Sequence, residues 1–125
     1  MLSKLANILW TTELQKRLDA EGTPIIAISV NPGAVNTFAD RLPRFRSLAK
    51  FLMGIFFKTW DQGAHNSTFS AASPLIREHP EIYRGAYIEG NYGKVGTPSK
   101  NARDADVAAD LWKTTQGFVE SIGLA

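Results

Sequence analysis

Apolar residues at the start of the chain recur at helical spacing. Ala6, Trp10, Leu14 and Leu18 form one i,i+4 ridge, and Leu2, Leu5 and Leu9 form a second beside it. This period predicts a helix over residues 3–20. Its first two turns are apolar around most of their circumference, and Glu13, Gln15, Lys16, Arg17 and Asp19 then supply water-facing positions. A helix patterned in this way is expected to be buried on two sides at its start and on one side at its end. Gly22 stands where a left-handed residue would close it.

The pattern then changes. Residues 24–30 read Pro-Ile-Ile-Ala-Ile-Ser-Val, β-branched in the main and without polar alternation until Ser29. A short run apolar on both faces predicts a strand inside a parallel sheet covered by helices. Asn31-Pro32-Gly33 ends it, because proline lacks a donor and glycine permits positive φ. Across residues 37–59, Leu42, Phe45, Leu48, Ala49, Leu52, Ile55 and Phe56 return to helical spacing. A further helix is expected over residues 60–73, opened by Thr59 and Gln62 as a capping box and stopped by Pro74. Its Gly63-Ala64 and Ala71-Ala72 pairs are small enough to pack closely on a sheet.

Residues 83–88 read as a second strand, in which Gly85 and Ala86 admit a neighbouring backbone. A loop punctuated by glycine covers 89–100. The last helix is expected over 104–122, capped by Asp104 or Asn101, with Val107, Leu111, Trp112, Phe118, Val119 and Ile122 as its apolar stripe and Gly123 as its stop. The order α-β-α-α-β-α predicts the α/β class. Two strands do not complete a doubly wound sheet, and the strand at 24–30 keeps an apolar edge unpaired, which invites association. The chain therefore reads as part of one larger domain, with no internal boundary over residues 1–125.

Composition narrows the function. A chain of 125 residues with 44% hydrophobic and 21% charged positions is folded material for one small domain at most. A net charge of +2, with Lys and Arg dispersed, gives no basic footprint, so no nucleic-acid partner is expected. The absence of cysteine excludes a disulfide framework and a thiolate metal site. His65 reads as a helix-surface residue and His79 as a loop residue, and Asp104 and Asp106 suit helix capping, so no metal site is expected. With no secretory signal and no apolar window of about 18 residues, the expected location is cytoplasmic.

Ser3-Lys4-Leu5-Ala6-Asn7 at the head of a helix resembles the second half of the Tyr-x-x-Ser-Lys signature of short-chain dehydrogenases/reductases. Pro24 opens the apolar strand twenty positions after Lys4, and Asn31-Pro32-Gly33-Ala34-Val35-Asn36-Thr37 follows directly, like the family's Pro-Gly turn with its Val and Thr. Order and spacing match over nearly all of the chain, in a wording close to that of retinol-dehydrogenase-like and fungal members. The resemblance implies the C-terminal part of a Rossmann-type, doubly wound parallel sheet. It also implies hydride transfer between an alcohol and a carbonyl with NAD or NADP, on a small apolar substrate. By position, Lys4 would bond the nicotinamide ribose hydroxyls and lower the pKa of the catalytic tyrosine. Pro32 and Gly33 would pass under the nicotinamide, and the Val35 backbone would meet the carboxamide. Thr37 would reach the carboxamide or pyrophosphate, or serve as a plain N-cap.

The sequence departs from the family in what it lacks. Counting back from Lys4, the tyrosine would fall immediately before Met1, and Tyr83, Tyr87 and Tyr92 do not have that spacing. The family's serine and its Gly-rich pyrophosphate turn are also missing. The expectation is a truncated enzyme, inactive alone and a weak binder of cofactor. Residues 45–60, dense in Phe45, Phe51, Phe56, Phe57 and Trp60 and flanked by Arg and Lys, read as a lid over substrate, as an interfacial membrane helix, or as ordinary core. The remaining alternative is a non-enzymatic interaction module that self-associates through the open strand edge and the first helix.

Overall fold

The computed structural model describes residues 2–33, 60–90 and 92–123. Helix α1 (Leu2–Ala20) leads into strand β1 (Ser29–Val30). Helix α2 (Trp60–Ala72) is followed by two single-turn helices, α3 (Leu75–Glu78) and α4 (Pro80–Tyr83). Strand β2 (Tyr87–Ile88), a 3-10 turn (Lys100–Arg103) and helix α5 (Ala105–Ser121) complete the order. The described part is mostly helical around a small parallel sheet. The capping residue Thr59, the helical pattern at 37–59 and the aromatic stretch before Trp60 lie outside the described residues.

The helix stops follow from local chemistry. Gly22 takes φ 67, its N–H donates to Asp19 O at 3.1 Å, and the Thr23 N–H donates to Leu18 O at 2.9 Å. That pair of bonds satisfies the orphan carbonyls of the last turn. Asp104 is the residue that caps α5: its carboxylate accepts from the Asp106 and Val107 amides. Gly123, at φ 72, ends the same helix.

Strands β1 and β2 run parallel, with Ser29 opposite Tyr87 and Val30 opposite Ile88. Their hydrogen bonds extend beyond the paired residues. Gly85 donates to Ala27 O, Ser29 to Ala86 O and Asn31 to Ile88 O, at 3.0, 2.9 and 2.8 Å. The first strand is nonetheless shorter than residues 24–30, and Ile25 is exposed rather than buried. Residues 27, 29 and 31 turn their backbone groups toward β2, so 26, 28 and 30 face the other edge, where no described strand lies.

The second strand also starts later than expected. Tyr83 closes α4, and Gly85 takes φ 68 to turn the chain into β2. Pro80 at the first position of α4 favours that extra turn of helix. Ile88, fully buried, forms an antiparallel bridge with Val95, so the glycine-punctuated loop folds back on the sheet.

Packing corrects three expectations. Glu13 and Gln15, each 4% exposed, are buried rather than water-facing. Trp10 stacks on Trp112 of α5 with centroids 4.2 Å apart, and the Arg17 guanidinium lies 4.6 Å from the same ring. Trp10 and Arg17 thus share the face that α5 covers, and Glu13 lies on it, paired with Arg17 at 3.0 Å. Gln15 is buried for a different reason, since its amide acts as a strand residue would. It accepts the Ala27 N–H at 2.7 Å and donates to Ile25 O at 3.2 Å.

The second correction concerns α2. Gly63 is buried, but Ala64, Ala71 and Ala72 are exposed, and the packing residue is Asn66. The third concerns α5, where Ala108 is buried while Val107, Phe118 and Ile122 stand in the open. Trp112 makes the cross-helix contact, so the stripe is used at its centre and left uncovered at its ends.

Candidate functional site

The turn of α1 that bears Lys4, Asn7, Ile8 and Thr11 faces the C-terminal end of β1. Between them lies a cleft of about 550 Å³, lined also by the backbone of residues 28–33 and by Tyr87. Lys4, Pro32 and Gly33 therefore border one space. Val35 and Thr37 lie outside the described residues. Lys4 is exposed, and no ion pair holds its ammonium among the described residues. It presents three N–H donors and no acceptor.

The Pro-Gly turn is fixed by its neighbour. Gly33 takes φ 79, a region that favours glycine, and its N–H donates to Asn31 Oδ1 at 2.9 Å. The other side of the same carboxamide, Asn31 Nδ2, donates to the Tyr87 hydroxyl at 2.8 Å. Asn31 thus ties the turn after β1 to a side chain of β2.

Asn66 ties the two strand ends from α2. Only 1% exposed, it donates from Nδ2 to Asn31 O at 3.3 Å and to Gly90 O at 3.1 Å, and its Oδ1 accepts the Gly93 N–H at 3.1 Å. Buried backbone groups of this kind need such partners. Strand ends in an open parallel sheet are where ligands collect. The Asn66 carboxamide sets their geometry here.

A second, more apolar groove of about 540 Å³ adjoins the first. Leu2, Leu5, Ile8, Pro98 and Ala102 line it, and Lys4 and Tyr87 border both spaces. Sequence reasoning missed Asn7, Thr11, Asn66 and Tyr87. Tyr87 carried a signal: its hydroxyl-bearing ring comes directly after Gly85-Ala86, in the run read as a strand.

A cleft of this volume falls within the range of small-molecule sites, about 300–1,000 Å³. The groups at its border are a cation with three N–H donors, a close glycine turn, and amide and hydroxyl side chains. The arrangement can hold and orient an uncharged polar ring beside a positive charge.

No family model matches the chain. Individual proteins do. A short chain dehydrogenase/reductase of Macrophomina phaseolina is 46% identical over 98% of this chain, which covers 59% of that relative. One of Colletotrichum higginsianum is 40% identical over 97% of this chain, covering 30% of the relative. Human retinol dehydrogenase 11 is 36% identical over 88% of this chain, covering 32% of it. By sequence the chain is similar to short-chain dehydrogenases/reductases over nearly all of its own length, and it spans only part of the length of each relative named. No described helix is long and apolar enough to cross a membrane.

Proposed function

We propose that these residues form the nicotinamide side of an NAD(P)-dependent oxidoreductase site of Rossmann type, which interconverts an alcohol and a carbonyl on an apolar substrate. The observation that supports the reading most is that Lys4 and the Pro32-Gly33 turn border a single cleft at the end of a parallel strand. The family likeness supports it independently, and the retinol named in one relative is an apolar alcohol.

When bound, the cofactor supplies the hydride. The chain's own part is orientation and charge. Lys4 donates to the ribose hydroxyls, and its positive charge favours the anionic form of a proton-donating hydroxyl placed beside it. The Asn31-braced turn, with Gly33 at its tip, lets backbone approach the ring face. Val35 and Thr37 complete the carboxamide contacts in this proposal. The groove lined by Leu2, Leu5 and Ile8 adjoins the cleft and suits an aliphatic substrate chain.

A chimera tests the proposal. These residues replace the matching segment of the Macrophomina phaseolina relative, and oxidation of apolar alcohols is followed by NAD(P)H absorbance. Activity is expected, with Lys4→Met lowering kcat/KM about a hundredfold or more. A folded, active chimera indifferent to Lys4→Met would refute the assignment.

A further inference from the structure

The hydrogen-bond order around Asn31 determines which way the Tyr87 hydroxyl can act. The Gly33 N–H can only donate, so the carboxamide atom facing it is Oδ1, at 2.9 Å. The atom facing Tyr87 at 2.8 Å is therefore Nδ2, which donates to the phenol oxygen. Tyr87 accepts that bond, and its own proton is left to give. No described residue takes it, and Lys4, the charged neighbour at the cleft border, has no acceptor to offer.

We propose that Tyr87 is a ligand-binding residue that donates its hydroxyl proton to an uncharged oxygen acceptor in the cleft, with Asn31 as the positioning residue that fixes this polarity. The inference rests on the nicotinamide-site reading above and adds a contact to it. The acceptor is a carbonyl oxygen, supplied either by the nicotinamide carboxamide or by the substrate. Tyr87 lies where either could reach it, because its side chain borders both the cleft and the adjoining apolar groove.

Reversing the donor order at Asn31 separates this role from a structural one. In Asn31→Asp the carboxylate still accepts the Gly33 N–H but cannot donate, so the Tyr87 proton is drawn to residue 31 and lost to the ligand. In Tyr87→Phe the ring stays and the proton is gone. Both variants should therefore weaken the same ligand.

The experiment titrates the 15N-labelled chain, its Tyr87→Phe and Asn31→Asp variants and a Lys4→Ala control. The probes are uncharged, so that the new carboxylate does not repel them: 1-benzyl-1,4-dihydronicotinamide for the carboxamide arm and acetophenone for the ketone arm. Amide shifts of residues 7, 29 and 33 report occupancy, and the Gly33 amide shift in the free variants reports whether the turn persists. The expected result is a three- to tenfold weaker Kd in both Tyr87→Phe and Asn31→Asp, as befits one lost hydrogen bond (about 1 kcal/mol, at 1.4 kcal/mol per tenfold). The arm that weakens identifies the acceptor. Unchanged affinity for both probes in both variants, with Lys4→Ala weakened, overturns the Tyr87 role and leaves the nicotinamide reading standing. No shift at the cleft in the unmodified chain overturns both.

Discussion

The helix pair α1–α5 and the ends of the two strands are joined by different kinds of contact. Across the helices the contact is broad and dispersive, with one tryptophan stacked on another at 4.2 Å and an arginine lying on the pair. At the strand ends it is narrow and directional, because Asn66 and Asn31 connect β1, the loop after β2 and the Pro-Gly turn. A stacked surface can lose part of its area and still close. A carboxamide that satisfies three backbone groups has no partial substitute. The proposed site is built on the second kind of contact, which makes it well defined and sensitive to substitution.

The largest effect is expected at Gly93, on the strand-end side. It takes φ 71, and a Cβ there would meet the Phe69 ring. Gly93→Ala should lower unfolding free energy by about 2–5 kcal/mol, combining left-handed strain with overpacking. Urea denaturation followed by tryptophan fluorescence measures it. A loss below 1 kcal/mol would mean that the loop is not held against α2 as described.

Asn66→Ala comes next. It removes three hydrogen bonds, to the Asn31 and Gly90 carbonyls and from the Gly93 N–H, at a cost of about 2–3 kcal/mol. Amide hydrogen exchange should show the loss concentrated at residues 31, 90 and 93. A uniform loss across the chain would erase the contrast drawn between the two regions.

Trp112→Phe tests the other side and should cost least, about 1 kcal/mol, because an aromatic face remains for Trp10 and Arg17. A loss comparable to that of Asn66→Ala would show that the helix pair depends on specific geometry as well.

The same contrast explains what was legible in the chain. Helices over 3–20, 60–73 and 104–122 were readable to within about two residues of α1, α2 and α5, because periodicity, the N-cap Asp104 and the stops at Gly22 and Gly123 are local signals. Glu13 and Gln15 were not. Their burial depends on Trp112 and on the backbone at 25–27, which are remote in sequence. The open ends of the α5 stripe went wrong for a related reason, since a period shows which residues share a face and not how much of that face is covered. Phe118, 64% exposed, is the clearest case. Lys4 and the Pro32-Gly33 turn, which line the candidate cleft, could be singled out because each sits in its own contiguous run, Ser3-Lys4-Leu5-Ala6-Asn7 and Asn31-Pro32-Gly33. Asn66 and Tyr87 could not, because each acts through a partner on another element.

The central claim is that the head of α1 and the turn after β1 act together as one site for nicotinamide. A titration of the 15N-labelled 125-residue chain with NADH, and separately with NADPH, tests it most directly. The account predicts weak saturable binding whose shifts cluster at residues 4–11 and 28–33 and fade when Lys4 is replaced by alanine. Shifts confined to the α1–α5 face, or binding unaffected by that replacement, would contradict it.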